Sequence, residues 1–230
     1  MKTLGLIPVR GGSKGISGKN LYPVRQKPLI AYTIEAARKS AYIDPLIVST
    51  DDEEIARKSR EWGALVPFMR PGSLAEDHSS ALDVVNHAVD YYLEQGVVFD
   101  YIVYLQPTSP LRTSQSIDQS IELMQNHDAD SLVSVVEVPH QFGMDSQMVE
   151  QNGLVKPALG NALGKLRRQD KPRYVARNGP AILITRPATL VNHGSLYGEK
   201  ILSFLMNDIE SLDIDRPDDL WLFEQRLLQS

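Results

Sequence analysis

A glycine-rich stretch near the amino terminus carries the residues best suited to chemistry. It follows a short apolar run and contains four glycines and three basic side chains, which are Gly11, Gly12, Gly15, Gly18, Arg10, Lys14 and Lys19. Glycine lets the backbone come close to a ligand and point successive amides at it, while fixed cations stabilise several negative oxygens together. The stretch therefore predicts a triphosphate site, although a solvated basic loop would have the same residue types.

Two better-known glycine motifs do not match this stretch. A P-loop has a Ser or Thr directly after Gly-Lys, and its hydroxyl binds magnesium. Here Asn20 follows Gly18 and Lys19, and Ser13 stands where the first glycine of a P-loop should be. A G-x-G-x-x-G dinucleotide fingerprint fits at no register. The loop is therefore predicted to be neither a P-loop nor a dinucleotide-binding turn.

A second candidate for chemistry lies near the carboxyl terminus, where Asp213 and Asp215 stand two residues apart. We predict a strand over 211–215, and side chains two apart in a strand project from the same face. Two carboxylates on one face suit Mg²⁺, which takes one or two carboxylates together with substrate phosphates. The alternative is that Asp215 caps the helix that begins at Pro217, a role for which Asp213 lies too far back.

The elements that must position these residues alternate between strands and helices. Strands are predicted at 4–9, 45–50, 64–68, 101–105, 131–138 and 180–185. Helices are predicted at 28–40, from 51 onward, around 81–92, at 114–126 and from 217 onward. This alternation predicts right-handed crossovers and a three-layer α/β/α fold with a mainly parallel sheet. Ligands of such sheets bind beyond the carboxyl ends of strands, where the glycine loop also emerges.

Composition limits the class of protein further. A chain of 230 residues with 42% hydrophobic residues can bury one sizeable core, so we expect one domain over 1–230. The net charge of −5 argues against a general nucleic-acid binder, whose phosphate contacts need a basic face. The absence of cysteine fits a reducing compartment. No apolar stretch approaches the ~20 residues that cross a bilayer, so we expect a cytoplasmic protein without a membrane partner.

The stretch from Ile7 to Asn20 closely resembles the signature of the acylneuraminate cytidylyltransferases, which include the CMP-sialic acid synthetases. The stretch 106–113 matches a second motif of that family, and Arg168-Gln169 with Asn178-Gly179 matches a third. The resemblance implies a Rossmann-like nucleotide-diphospho-sugar transferase fold. It also implies that CTP is joined to an acidic nine-carbon sugar with release of pyrophosphate.

The resemblance assigns roles on the nucleotide side. The residues expected to hold the triphosphate are Arg10, Gly11, Gly12, Lys14 and Lys19. Lys19 would also offset charge on the departing pyrophosphate, while Ser13 and Asn20 would recognise the cytosine. Arg70 and Ser80 would lie near the nucleotide, although Arg70 also suits a surface salt bridge and Ser80 a helix cap.

The resemblance also assigns the metal and sugar sides. Asp213 and Asp215 would hold Mg²⁺, and Gln106 and Arg168 would orient the sugar, Arg168 by bidentate binding of an acidic group. Residues 139–178 would form an arm that crosses to a second subunit of a homodimer.

Two departures leave the sugar open. Ile182 stands where sialic-acid-specific members carry a Tyr, and Ser195–Gly198 replace a Phe pair that packs on the acetamido group. We therefore expect N-acetylneuraminate or a close nine-carbon relative, with legionaminate and pseudaminate as alternatives. A non-catalytic nucleotide-sugar sensor is the alternative from another functional class.

Overall fold

The computed structural model of the protein describes residues 1–12, 15–76, 78–159 and 172–229. Its strands are β1 (Thr3–Pro8), β2 (Pro23–Val24), β3 (Lys27–Pro28), β4 (Leu46–Ser49), β5 (Tyr101–Tyr104), β6 (Ser131–Glu137), β7 (Met148–Gln151), β8 (Leu154–Pro157), β9 (Val175–Arg177), β10 (Leu183–Thr185) and β11 (Ile201–Leu205). Its α-helices are α1 (Leu29–Arg38), α2 (Glu53–Glu61), α3 (Ala81–Leu93), α4 (Ser114–Gln125), α5 (Pro187–His193) and α6 (Pro217–Gln229). Within these ranges no helix has the length and apolar character needed to cross a membrane.

A seven-stranded sheet forms the centre of the described part of the chain. Six strands follow one another in the order β11-β6-β10-β5-β1-β4, and β9 pairs with β6. β1, β4, β5, β6 and β11 run in one direction, whereas β9 and β10 run antiparallel to their neighbours. The sheet is therefore mixed, with most of its strands parallel, and the predicted α/β fold is confirmed.

Both faces of this sheet are covered by helices. Ile7 of β1 packs in a cluster with side chains of α1, α2 and α4, and its neighbour Leu6 packs in a cluster with side chains of α3 and α5. Both side chains are fully buried, and each such burial stabilises the fold by about 1.5–3 kcal/mol. Helices on both faces make the three layers that the alternation of elements predicts.

The predicted strand at 64–68 is wrong. Within that segment Leu65 forms an isolated bridge to β4, at the edge of the sheet, where Leu65 is 54% exposed. Pro67 has no N–H to add to a ladder. The segment nevertheless runs beside β4 and brings Arg70 to the carboxyl edge of the sheet, where the Arg70 amide donates to the carbonyl of Thr50 at 2.7 Å.

The predicted strand at 211–215 is also wrong. The Ile214 amide donates to the Thr108 carbonyl at 2.8 Å, and the Asp215 amide donates to the Asp219 carboxylate at 2.9 Å. A loop and a helix side chain thus satisfy its backbone without a strand partner. The strand that completes the sheet is β11, which the sequence analysis does not predict.

The region 139–178, which we expect to form an arm, contains a hairpin of β7 and β8. Its turn is formed by Asn152 and Gly153, with φ of 54° and 77°, which is the left-handed conformation of tight hairpin turns. Leu154 and Val155 of β8 are 77% and 62% exposed. The hairpin therefore presents apolar side chains on its surface.

Candidate functional site

A cleft of about 500 Å³ opens at the carboxyl ends of β1 and β5. Open α/β sheets bind ligands at this edge, where the sequence analysis also expects the glycine loop. Several of the predicted site residues line this cleft, namely Arg10, Lys19, Asn20, Arg70, Ser80, Gln106 and Asp215. Ser13, Lys14 and Arg168 lie outside the described residues, so their roles stay predictions.

The glycine loop packs closely against two acidic segments. A Cβ on Gly15 would lie 2.5 Å from the Asp215 carbonyl oxygen, so a larger residue would push the loop and this segment apart. A Cβ on Gly11 would lie 2.8 Å from Asp52 Oδ2, and the Gly11 amide donates to Asp51 Oδ1 at 3.1 Å. This amide therefore has an acceptor within the protein, whereas the sequence analysis expects it to face a phosphate.

Lys19 connects the glycine loop to the carboxyl-terminal acidic pair. It lies on a short 3₁₀ turn that follows Gly18, whose φ is 63°. Its ammonium donates to the Ile214 carbonyl at 2.6 Å and to Asp215 Oδ1 at 3.2 Å. The Lys19 side chain is 12% exposed, while that of Asp215 is 73% exposed. An ammonium has three donors, and the described residues supply acceptors for two of them, which leaves the third N–H for an anion in the cleft.

Asn20 fixes the base of the same loop. It is 6% exposed, and its Nδ2 donates to the Arg10 carbonyl at 3.5 Å. Its Oδ1 is buried and has no hydrogen-bond donor among the described residues. A buried acceptor without a donor costs about 1–3 kcal/mol, so a ligand that donates to this oxygen would gain affinity.

The two aspartates flank a buried anchor. Ile214 is fully buried in a cluster with Val24, Leu29 and Phe223, which holds the segment against α1 and α6. Burial raises the pKa of the Asp213 carboxyl, and the Asp215 carboxylate also raises it, whereas the Thr108 hydroxyl and the Lys19 ammonium oppose this shift. Asp213 Oδ1 is buried and has no hydrogen-bond donor within the described ranges. This oxygen is therefore suited to a cation.

The alternative role of Asp215 as a helix cap is wrong. The Asp219 carboxylate accepts from the Arg216 amide at 2.7 Å and from the Asp215 amide at 2.9 Å. Asp219 thus accepts from the two amides that precede α6. The Asp215 carboxylate instead faces Lys19 and the cleft.

Arg70 is a buried cation at the edge of the cleft. Its side chain is 4% exposed, so the salt bridge that the sequence left open is present, with Asp51, but the guanidinium is buried rather than at the surface. Nη2 donates to the Val9 carbonyl at 2.8 Å and to Asp51 Oδ1 at 3.4 Å. Burial lowers the pKa of the Arg70 guanidinium, and the neighbouring Asp51 carboxylate opposes that shift.

A buried arginine, Arg112, hydrogen-bonds to the backbone of Gln106. Nη1 of Arg112 donates to the Gln106 carbonyl at 3.2 Å and to the Ala181 carbonyl at 2.6 Å. Burial lowers the pKa of Arg112 to about 9. Gly179 has a φ of 121°, and a Cβ on it would lie 3.4 Å from Gln106 Oε1. The loop after β5 and the segment before β10 therefore define together where the Gln106 amide stands.

Comparison with known protein families gives a match over nearly the whole chain. The family model described as Cytidylyltransferase matches residues 4–220. The chain belongs to the cytidylyltransferase family. This confirms the resemblance and makes the protein a nucleotidyltransferase.

Two relatives are similar to this cytidylyltransferase over different shares of its length. A protein of Legionella pneumophila subsp. pneumophila named CMP-N,N'-diacetyllegionaminic acid synthase is 35% identical over 230 residues, covering 100% of this chain and 97% of that protein. A protein of Campylobacter jejuni subsp. jejuni named pseudaminic acid cytidylyltransferase is 34% identical over 152 residues, covering 66% of each. The first similarity extends along the whole chain.

A solved structure supports the fold of this cytidylyltransferase. The structure of CMP:2-keto-3-deoxy-manno-octonic acid synthetase complexed with CTP superposes with a TM-score of 0.73. It covers 100% of this chain and 99% of that chain at 19% sequence identity. At this identity the likeness shows the fold alone.

Tyr104 is a cleft residue of this cytidylyltransferase that sequence reasoning missed. It lines the cleft two residues before Gln106, and burial raises the pKa of its hydroxyl to about 12. The hydroxyl therefore stays protonated at neutral pH. The signal was available, because side chains two apart at the end of a strand project from the same face.

Ser80 caps helix α3, which is the alternative role that the sequence left open for it. Its side chain accepts from the Asp83 amide at 3.1 Å, and its own amide donates to Asp83 Oδ2 at 3.2 Å, which forms a capping box at the start of α3. The helix-cap role of Ser80 is thus present, and its predicted contact with the nucleotide stays a prediction.

Proposed function

We propose that the protein transfers CMP from CTP to the anomeric hydroxyl of a nonulosonic acid and releases pyrophosphate. The observation that carries this proposal is the contact of the Lys19 ammonium with Asp215 at the cleft. A cation suited to phosphates thus lies beside a carboxylate suited to a metal, at the edge of the sheet where α/β folds bind ligands. The activities named for the relatives support the same reaction class.

Charge stabilisation by the glycine loop is the first part of the mechanism. Phosphoryl transfer depends mainly on positioning and on stabilising charge on phosphate oxygens. Arg10 and Lys19 line the cleft and would bind the triphosphate, with Ser13, Gly12 and Lys14 completing the loop. The remaining N–H of the Lys19 ammonium would stabilise the departing pyrophosphate.

Mg²⁺ is the second part of the proposal. Asp213 and Asp215 fit this ion, because Asp213 Oδ1 lacks a donor among the described residues and Asp215 is exposed to the cleft. Mg²⁺ usually takes one or two protein carboxylates and keeps waters and substrate phosphates as its other ligands, so these two aspartates would suffice. A bound Mg²⁺ supplies charge neutralisation and polarisation of phosphate oxygens.

Recognition of the base would fall to Asn20 and Arg70. The buried Oδ1 of Asn20 is an acceptor without a donor in the described ranges, which matches the exocyclic amino group of cytosine in hydrogen-bonding type. Arg70 supplies a nearly desolvated cation at the same side of the cleft. Both features favour a cytidine nucleotide over a ligand without donors.

The sugar is proposed to be a nine-carbon acid that is bound by other side chains than in the sialic-acid-specific relatives. Ile182, at the position where sialic-acid-specific relatives carry Tyr, is fully buried, and its amide donates to Ser134 Oγ at 2.8 Å. Its side chain is thus committed to the core. Tyr197, within the altered stretch, accepts from Arg177 at 3.2 Å. The buried Ile182 in the place of Tyr, together with the similarity to a legionaminic acid synthase, supports diacetyllegionaminate as the first candidate, with N-acetylneuraminate and pseudaminate kept in the panel.

Homodimerisation and a cytoplasmic location belong to the same proposal. Apolar side chains of the β7–β8 hairpin, with Leu154 77% exposed, form a surface that a second copy would cover. The proposed reaction uses CTP, which cells make in the cytoplasm, and the absence of cysteine fits that compartment.

The decisive experiment measures pyrophosphate release from CTP and Mg²⁺ with one nonulosonic acid at a time. We expect release with a single nine-carbon sugar, and none when Mg²⁺ is chelated. Binding of CTP without release for every sugar would replace the enzyme with the non-catalytic sensor. Failure to bind CTP would remove both.

A further inference from the structure

Asp51 places a negative charge at the edge of a cleft proposed to bind a polyanion. It lies two residues after the end of β4, and its side chain is 28% exposed. Its Oδ1 accepts from the Gly11 amide at 3.1 Å and from Arg70 Nη2 at 3.4 Å. One carboxylate oxygen thus joins the loop after β1 to the segment that carries Arg70. The proposed reaction gives Asp51 no role.

The surroundings of the Arg70 guanidinium explain why it needs the Asp51 carboxylate. Arg70 is almost completely desolvated, and its Nε has no acceptor among the described residues. Arg10 is close enough to repel it, and Tyr104 is the other titratable group that faces it. Desolvation and a like charge both destabilise a buried guanidinium. Asp51 is the acidic side chain in contact with it.

We infer that Asp51 is a positioning residue for nucleotide binding, which holds the Arg70 guanidinium and the Gly11 backbone in the arrangement that receives CTP. The inference rests on the proposed function, because CTP is the ligand that defines the arrangement. A purely electrostatic view gives the opposite expectation. Removal of a negative charge beside a polyanion site strengthens anion binding, whereas loss of a positioning contact weakens it.

The test is the affinity of the full chain for CTP and Mg²⁺ without sugar, measured by titration calorimetry. Asp51→Asn retains an acceptor for the Gly11 amide but removes the charge that faces Arg70. We expect the Kd for CTP to rise about tenfold, the effect of losing one charge-assisted hydrogen bond. Glu53→Gln is the matched control, because it removes a charge from an exposed residue in the first turn of α2. It should change the Kd less than twofold.

The second measurement asks whether Asp51 acts through Arg70. In an Arg70→Met background, Asp51→Asn should weaken CTP binding less than twofold further. Thermal melting of every variant checks the fold, and Asp51→Ser, which also retains an acceptor oxygen, replaces the Asn variant if the latter melts early. In turnover assays, the KM for CTP should rise while kcat and the KM for the sugar stay within twofold.

The outcomes separate this inference from the proposed function. Unchanged or tighter CTP binding by Asp51→Asn overturns the inference and leaves the proposed function standing. The same holds if the losses caused by Asp51→Asn and Arg70→Met add fully, since Asp51 would then act independently of Arg70. Failure of the wild type to bind CTP removes the proposed function and the inference together.

Discussion

The phosphate side of the cleft and the arm of residues 139–178 are held in different ways. On the phosphate side, polar groups distant in sequence contact one another: Lys19 reaches Asp215, and Arg70 reaches Asp51. The described part of the arm instead contains β9, which pairs with β6 of the sheet, and a hairpin whose apolar side chains, such as Leu154, are exposed. This contrast fits the proposal that one chain forms the phosphate side, whereas the hairpin is covered by a second copy of the chain.

The largest expected effect removes the contact that defines the phosphate side. Lys19→Ala should lower the rate of pyrophosphate release by about 10²–10³-fold, because a preorganised cation beside the phosphates is lost. The control is Lys39→Ala, an exposed lysine at the carboxyl end of α1, which should behave like the wild type. If Lys19→Ala retained turnover within a few-fold, the role proposed for this ammonium would be wrong.

A smaller effect tests whether the close packing of the glycine loop matters. Gly15→Ala would place a Cβ 2.5 Å from the Asp215 carbonyl, so loop and acidic segment must separate. We expect turnover to fall about tenfold to a hundredfold, as for a catalytic group displaced by a fraction of an ångström. Gly72→Ala is the matched control, since a Cβ there meets nothing within 4 Å. Equal activity of the two variants would show that the loop tolerates this displacement.

The arm is tested by changing its surface without touching the cleft. Leu154→Asp should convert a dimer to a monomer in solution, as measured by light scattering, and change the free energy of unfolding of the monomer by about 0.5 kcal/mol or less. Val191→Asp is the control, because Val191 is 84% exposed on α5 and should leave the mass unchanged. A wild-type monomer with full activity would contradict the contrast drawn between the two regions.

The smallest expected effect concerns stability and pH at the acidic pair. Burial raises the folded-state pKa of Asp213 above its value in an unfolded chain, about 3.9. The stability contributed by the protonated form is therefore present below that unfolded value and is lost as the pH rises through the folded pKa.

Without Mg²⁺, Asp213→Asn should raise the melting temperature at neutral pH, and the gain should vanish near pH 3.5. The gain in the free energy of unfolding should stay under about 1 kcal/mol, because Asp213 is partly solvated and solvent screens its charge. A variant less stable than the wild type at pH 7 would mean that the ionised carboxylate is favourably paired.

Local sequence signals predicted most of the elements that frame the site. Apolar periodicity and first-turn residues predict helices α1 to α4 and α6. Three of these helices begin with a capping side chain, which is Asp52, Ser80 or Thr113. The strand predicted at 211–215 failed because strand formation needs a partner, and its amides bond to a loop and to Asp219. β11 was missed for the same reason, since its strand character depends on pairing with β6.

The sequence by itself determined which chemistry is present: glycines and cations after a first strand, and two carboxylates near the carboxyl terminus. Those residue types, in that order, suffice to predict a phosphate site and its edge of the sheet. Only the tertiary structure decided which groups meet. Lys19 and Asp215 are in contact although they are 196 residues apart. Asp51 contacts Arg70, and Tyr104 lines the cleft. Such contacts depend on how strands and loops pack, and packing is a property of the whole chain that no local pattern records.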